Sequence, residues 1–212
     1  HMLLIWHYVK IEDYQPLLVV ISAVWLTLTI RLITQKTPVE VIKGISYTAL
    51  LSGLVLLLIA WLAITRIHAI IHYGPHLVLA LMVMIWIADS AAYFSGRLFG
   101  KNKLSPQVSP GKSWEGVAGG LIGVAVFGYL LVSHPYFHQV NPFVLSLVSV
   151  LVAFVSVGGD LFESKIKRQR GVKDSGRILP GHGGVYDRID SLVAAAPVYL
   201  LGISLLVGEA AL

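Results

Sequence analysis

The chain predicts an all-α polytopic membrane protein: a bundle of about six transmembrane helices with a charged loop before the last span. Three observations predict it. Charged residues make up only 13% of the 212 residues, about half the ~25% share of a soluble domain. Mean hydropathy is +0.78. The apolar residues come in long blocks rather than in alternating or one-faced patterns. The blocks lie near residues 17–34, 45–64, 77–99, 117–132, 143–158 and 191–207. Each approaches the roughly 20 residues needed to cross hydrocarbon. The fourth and fifth are the shortest, and are expected to tilt little or to be partly re-entrant.

The first element begins late. His1-Met2 reads as a cloning remnant, residues 3–75 as an N-terminal transmembrane region, and residues 76–212 as the part that carries the motifs. The loops then sort by charge. Lys36 and Lys43 follow Arg31 in the first loop. Lys101, Lys103 and Lys112 follow Arg97 in the third. The second loop has only Arg66, and Ser133 to Pro142 has no Lys or Arg. The positive-inside rule therefore puts the first, third and fifth loops in the cytoplasm. It also puts both termini outside. Without a signal peptide, that predicts an odd number of further spans upstream. The net charge of +5 follows from the same rule and implies no nucleic acid. The absence of cysteine excludes disulfides, thiolate metal sites and cysteine nucleophiles.

His68, His72 and His76 repeat every four residues. Gly74 and Pro75 interrupt that run, so they read as interfacial histidines rather than a metal stripe. The tryptophans read as interface anchors or packing. In the third span, Asp89 carries a carboxylate that costs about 2.5–3.5 kcal/mol near the bilayer centre. It must face a polar cavity or lie near the cytoplasmic edge. Tyr93 and Arg97 follow on roughly the same face, and either is a candidate structural partner for it.

The third loop contains Ser109-Pro110-Gly111-Lys112-Ser113-Trp114-Glu115-Gly116. It is not a Walker A loop, because Pro106 stands where the first glycine is required and no parallel strand is available. Ser113 to Gly116 instead opens a helix, where Lys112, the hydroxyls and the backbone amides suit an anion. Gly116, Gly119, Gly120 and Gly123 give the fourth span a face for close helix approach.

The fifth loop is the most informative segment. Twelve charged residues, seven basic and five acidic, fall between Asp160 and Asp190. If the fifth span continues as a helix through its polar end, Asp160, Glu163, Ser164 and Lys167 share one face. The glycine-rich stretch from Arg170 to Gly184 is a loop, and Gly181 to Gly184 leave backbone bare for a phosphate. Helix is expected to resume near Tyr186, with Asp187, Asp190 and Ser191 on one face. Two helix ends, each bearing an aspartate, then converge on one hard cation, and magnesium accepts one or two carboxylates plus substrate phosphates.

Ser164-Lys-Ile-Lys167-Arg168, then Lys173-Asp174, then Pro180-Gly-His182-Gly183-Gly184-Val-Tyr-Asp187-Arg188-Ile-Asp190 resembles the signature of the phosphatidate cytidylyltransferases, or CDP-diacylglycerol synthases. The match runs over 27 residues with its spacing intact. Asp89-Ser-Ala-Ala-Tyr93-Phe-Ser-Gly96-Arg97, Ser109 to Gly116 and Gly159 to Ser164 are similar to the same family. The likeness covers the chain from about residue 80 onward. Family members are usually longer by several N-terminal spans.

The resemblance implies an enzyme that joins CTP to phosphatidic acid, giving CDP-diacylglycerol and pyrophosphate. It implies magnesium, with room for a second cation, and a bacterial inner membrane with the site facing the cytoplasm. On it, Asp160 and Asp187 are expected metal ligands. Lys167, Arg168, Lys173 and Arg188 are expected to hold phosphates. Lys112, Ser113, Ser164, Asp174, Gly183 and Gly184 are further substrate-binding candidates. His182 would donate to a phosphate. Glu115, Asp89 and Asp190 would support the site or contact cytidine. Acyl chains would enter laterally from membrane lipid, and a homodimer stands open beside a monomer. The rival readings are a polyprenol kinase, an ether-lipid cytidylyltransferase and a transporter of phosphorylated anions.

Overall fold

The structure is a computed structural model that describes residues 11–35, 37–42, 44, 46–176 and 184–207, with the side chains of Ile11, Glu12 and Val207 outside the description. His1, Met2, Lys36, Lys43, His182 and Gly183 lie outside the described residues. Six helices follow in order: α1 (Ile11–Thr34), α2 (Tyr47–His68), α3 (Gly74–Phe99), α4 (Trp114–Leu130), α5 (Pro142–Gln169) and α6 (Asp190–Val207). Five are long and apolar enough to cross a membrane, and the sixth is shorter.

The six predicted spans are all helices, but two of their lengths differ from expectation. α4 continues into a 3-10 turn at Leu131–Ser133, so that stretch reaches 20 residues. α5 runs for 28 residues, well beyond its apolar block. Its polar end is rich in Glu, Lys, Arg and Gln, which hold a helix as well as Leu does. Neither is short. Gly171 ends α5 with φ +67, a left-handed conformation that favours glycine.

α6 is the central helix. Val193 to Ala196, Val198, Tyr199, Leu200 and Ile203 are all buried, as expected of a helix that is apolar all round. It packs against α5, α2 and α1. α2 shows the opposite pattern. Leu50, Leu51, Leu54, Leu58 and Trp61 point outward, a face suited to lipid and not to water.

α3 and α4 form the most extensive pair. A Cβ placed on Gly120 would lie 2.8 Å from the Ala88 carbonyl, and one on Gly116 2.9 Å from that of Ala92. The expected close approach therefore exists, and glycine is what permits it.

The third loop contains an element the sequence reading missed. β1 (Lys103–Ser105) and β2 (Ser109–Ser113) pair antiparallel with an irregular register. Val108, Leu104 and Ser105 are buried beneath it, and the Ser105 hydroxyl donates to the Leu32 carbonyl at 3.0 Å. The hairpin is thus pinned to the end of α1. Pro110 and Gly111 inside β2 hide it from a propensity reading.

Loops one, three and five gather at one end of the bundle. Ile42 N–H donates to Gln169 O at 2.8 Å, and the Arg170 guanidinium donates to the Ile42 and Gly44 carbonyls. Loops two and four meet at the other end, where the Tyr73 and His76 rings lie 5.6 Å from His134. His72 has a φ of 66 between the end of α2 and the start of α3. The three spaced histidines therefore form no continuous helical stripe.

Candidate active site

Two motif-bearing loops meet around one cavity. Ser113 caps α4, accepting from Gly116 N–H at 3.1 Å, and this turns Lys112 toward α5. Lys112 Nζ lies 2.6 Å from Asp160 Oδ2. Asp160 Oδ1 accepts from the Ser164 hydroxyl at 3.2 Å. A cavity of about 570 Å³ opens here among α3, α4, α5 and the hairpin, and Asp89, Arg97, Lys112, Ser113 and Asp160 supply its polar wall. Ala92, Val117, Gly120, Leu121 and Val157 supply its apolar wall. Polar groups at one side and a small-residue apolar floor at the other suit an amphiphile with a phosphate head.

Asp89 faces this polar cavity, as a carboxylate in an apolar helix must. It does not pair with Tyr93 or Arg97 as the sequence suggested. Arg97 instead donates to the Tyr93 hydroxyl at 2.9 Å. Asp89 also lines a second cavity of about 250 Å³ with Asp187, Arg188 and Asp190. Asp89, Asp160, Asp190 and Lys112 are close enough to act on one another electrostatically.

A second cluster organises the fifth loop. The Lys167 ammonium lies 2.9 Å from Glu163 Oε2 and 2.7 Å from Asp187 Oδ1. Asp187 Oδ2 accepts from Ser175 N–H and Oγ–H, both at 2.9 Å, and from Gly184 N–H at 2.7 Å. Burial works against the charged form of Asp187. The donors from Lys167, Gly184 and Ser175 outweigh it and hold the carboxyl well below the usual carboxylate range. Tyr186 shifts upward, first through burial and then through the negative charge of Glu163 and Asp190.

The expected shared face of Asp187, Asp190 and Ser191 is corrected. A 3-10 turn holds Tyr186–Arg188, Ile189 leaves helical geometry with φ −123 and ψ 1, and α6 starts only at Asp190. The donors around Asp187 draw it toward α5 and the loop, while Asp190 Oδ1 accepts from Ser191 N–H at 2.7 Å.

Other expected site residues lie apart from both clusters. Glu115 accepts from Asn102 N–H at 3.1 Å and Asn102 Nδ2 at 2.8 Å, closing the base of the hairpin. Arg168 donates to the Val172 carbonyl at the end of α5. Lys173 and Asp174 are exposed on the following turn.

Two groups belong to the site to which the sequence reading assigned no role. Glu163 is only 3% exposed, and its Oε1 is buried without a hydrogen-bond partner. Its spacing four before Lys167 was the available signal. Ser175 gives Asp187 two of its donors, and no sequence pattern announces that.

Among the described residues, no three His, Asp or Glu side chains are grouped to hold a metal ion by themselves. Magnesium needs only one or two carboxylates when phosphates complete its shell. Asp160 meets that requirement, since a carboxylate offers about four lone-pair sites and Lys112 and Ser164 occupy two. Asp187 meets it less directly, because its oxygens are already engaged by Lys167, Ser175 and Gly184.

Fold and site together define a polytopic membrane protein that brings cations and carboxylates to one end of its bundle, beside an apolar pocket. A model of the cytidylyltransferase family matches residues 1–206, and the chain belongs to that family. It is 46% identical over 180 residues to a phosphatidate cytidylyltransferase of Pseudomonas aeruginosa, covering 84% of this chain and 66% of that protein. It is 50% identical over 131 residues to one of Haemophilus influenzae, covering 60% and 46%. It is 38% identical over 208 residues to one of Thermotoga maritima, covering 93% and 72%. The chain thus spans less than two thirds of the first two relatives.

Proposed function

We propose that this protein transfers the CMP moiety of CTP to phosphatidic acid, releasing pyrophosphate and forming CDP-diacylglycerol. The observation that carries the reading is the Lys112–Asp160 bridge beside an apolar pocket. Both of its ends lie in segments similar to the phosphatidate cytidylyltransferases, the activity named for the relatives above.

The reaction needs no side-chain nucleophile. A phosphatidate oxygen attacks the α-phosphorus of CTP, the bond to the bridging oxygen breaks, and pyrophosphate leaves. Catalysis is then alignment and charge neutralisation. Lys112 would meet phosphate oxygens at the cavity wall. The hairpin and the start of α4 hold it in position. Lys167 fixes Asp187, and Asp187 in turn holds the Ser175 and Gly184 amides. Lys173 and Arg168, which lie apart from both clusters, would add positive potential that draws CTP in. Arg188 and Asp190 border the smaller cavity and would contact the nucleotide there, with Asp174, His182, Gly183 and Gly184 contributed by the same loop.

Magnesium would supply charge neutralisation on the phosphates and help order them for in-line transfer. Asp160 is the proposed carboxylate for it. Asp187, the other expected ligand, would join only by exchanging one of its present donors. A second cation would need the same carboxylate group. The loops that gather at the site are those rich in Lys and Arg, which supports a cytoplasmic orientation in a bacterial inner membrane.

The test is pyrophosphate release from CTP by the purified chain, with phosphatidate or a polyprenol as acceptor. Release with phosphatidate alone supports the reading. Release of CDP rather than pyrophosphate with the polyprenol, or no pyrophosphate from folded protein, sinks it.

A further inference from the structure

We propose that Arg97 binds the phosphate of the lipid substrate, and so separates recognition of the lipid from recognition of CTP. The inference deepens the function proposed above and rests on it.

Lys112 is neutralised by Asp160, and Lys167 by Glu163 and Asp187. Arg97 also lines the large cavity. Among the described residues its recorded partner is the neutral Tyr93 hydroxyl, at 2.9 Å. An arginine beside an apolar pocket with no carboxylate of its own suits an incoming anion. Its planar fork matches two oxygens of a phosphate monoester. The Tyr93 contact leaves most of its five N–H donors available and holds the side chain along α3.

Position distinguishes the lipid from the nucleotide. Arg97 lies eight residues beyond Asp89, about 12 Å further along the helix axis, in the last turn of α3. Its neighbours Phe94, Leu98 and Phe99 are 62%, 72% and 65% exposed. An apolar face so open at a helix end belongs in acyl chains or at the headgroup boundary. The guanidinium therefore stands where the cavity meets lipid. A diacyl amphiphile whose chains lie along those side chains presents its phosphate at this height. CTP, arriving from water, has Arg188 of loop five at the smaller cavity, which Asp89 also lines.

The test compares Arg97→Gln and Arg97→Lys with the wild-type chain in mixed micelles. Arg97→Gln is expected to raise KM for phosphatidate about tenfold or more, the loss of one charge-assisted pair. KM for CTP should stay within about twofold, because that interaction is separate. Arg97→Lys, which keeps the charge and loses the fork, should fall between. Independently of turnover, phosphatidate should raise the melting temperature of the wild type more than that of Arg97→Gln. Diacylglycerol with the same chains should not distinguish them. A rise in KM for CTP instead, or no change in either KM, overturns the assignment. If neither protein turns over, the functional reading fails, and the melting shift alone decides this one. Equal shifts with phosphatidate in both proteins would then reject it.

Discussion

Asp187 shows how one side chain can determine the shape of a loop. It collects an ammonium, a hydroxyl and two backbone amides, so an amide in its place keeps an acceptor and loses the charge that gathers them. Asp187→Asn is expected to lower turnover by about 100-fold or more, as loss of a preorganised charged group in a transfer site does. The variant should still elute from detergent as a monodisperse protein. Near-normal activity would remove Asp187 from the machinery. At the opposite end of the bundle, His134 accepts from Tyr136 N–H through Nδ1 at 3.3 Å, and burial, then His76, pushes its pKa down. A depressed histidine stabilises the fold in its neutral form. That contribution is full above about pH 6.5, the ordinary histidine value, and fades as pH falls below it. Melting temperature should therefore drop between pH 7 and pH 5, and His134→Asn should flatten that slope. An identical slope in the variant would show that His134 has no part in it.

At the scale of elements, the α3–α4 contact sets the width of the cavity. Gly120 lies against the Ala88 carbonyl and also lines the pocket. Gly120→Leu forces the helices apart, and overpacking of this kind costs about 1–3 kcal/mol. Its melting temperature should fall, and activity should fall with it. A variant with unchanged stability would mean that α3 and α4 separate freely. This contact was legible in the sequence because four glycines recur on one span. The spans were legible for an equally simple reason, since hydrocarbon demands long apolar runs. The hairpin was not, because its strands are short, contain Pro110 and Gly111, and owe their pairing to burial of Leu104 and Val108. The break at Ile189 was hidden too. It follows from the donors to Asp187, twelve residues before it at Ser175 and on α5 at Lys167, which no helical periodicity records.

Across the whole molecule, residues that read as separate motifs come together at one end. Asp89, Lys112 and Asp160 each announced themselves as charges beside apolar sequence. Their shared cavity depends on three helices crossing, which spacing within any one of them does not encode. The gathering of loops one, three and five predicts sidedness. The chain lacks cysteine, so Lys173→Cys and Gln139→Cys each create a single thiol. An impermeant maleimide should label Gln139→Cys on intact cells and Lys173→Cys only after permeabilisation. The reverse pattern would invert the orientation.

The cavity bridged by Lys112 and Asp160 is the proposed meeting place of CTP and phosphatidate. The most direct measurement is formation of CDP-diacylglycerol by the purified chain in detergent, with magnesium or EDTA, beside Asp160→Asn. The account predicts product from the wild type with magnesium, none with EDTA, and a loss of about 100-fold or more in the variant. Full product from folded Asp160→Asn, or product that persists in EDTA, would contradict it.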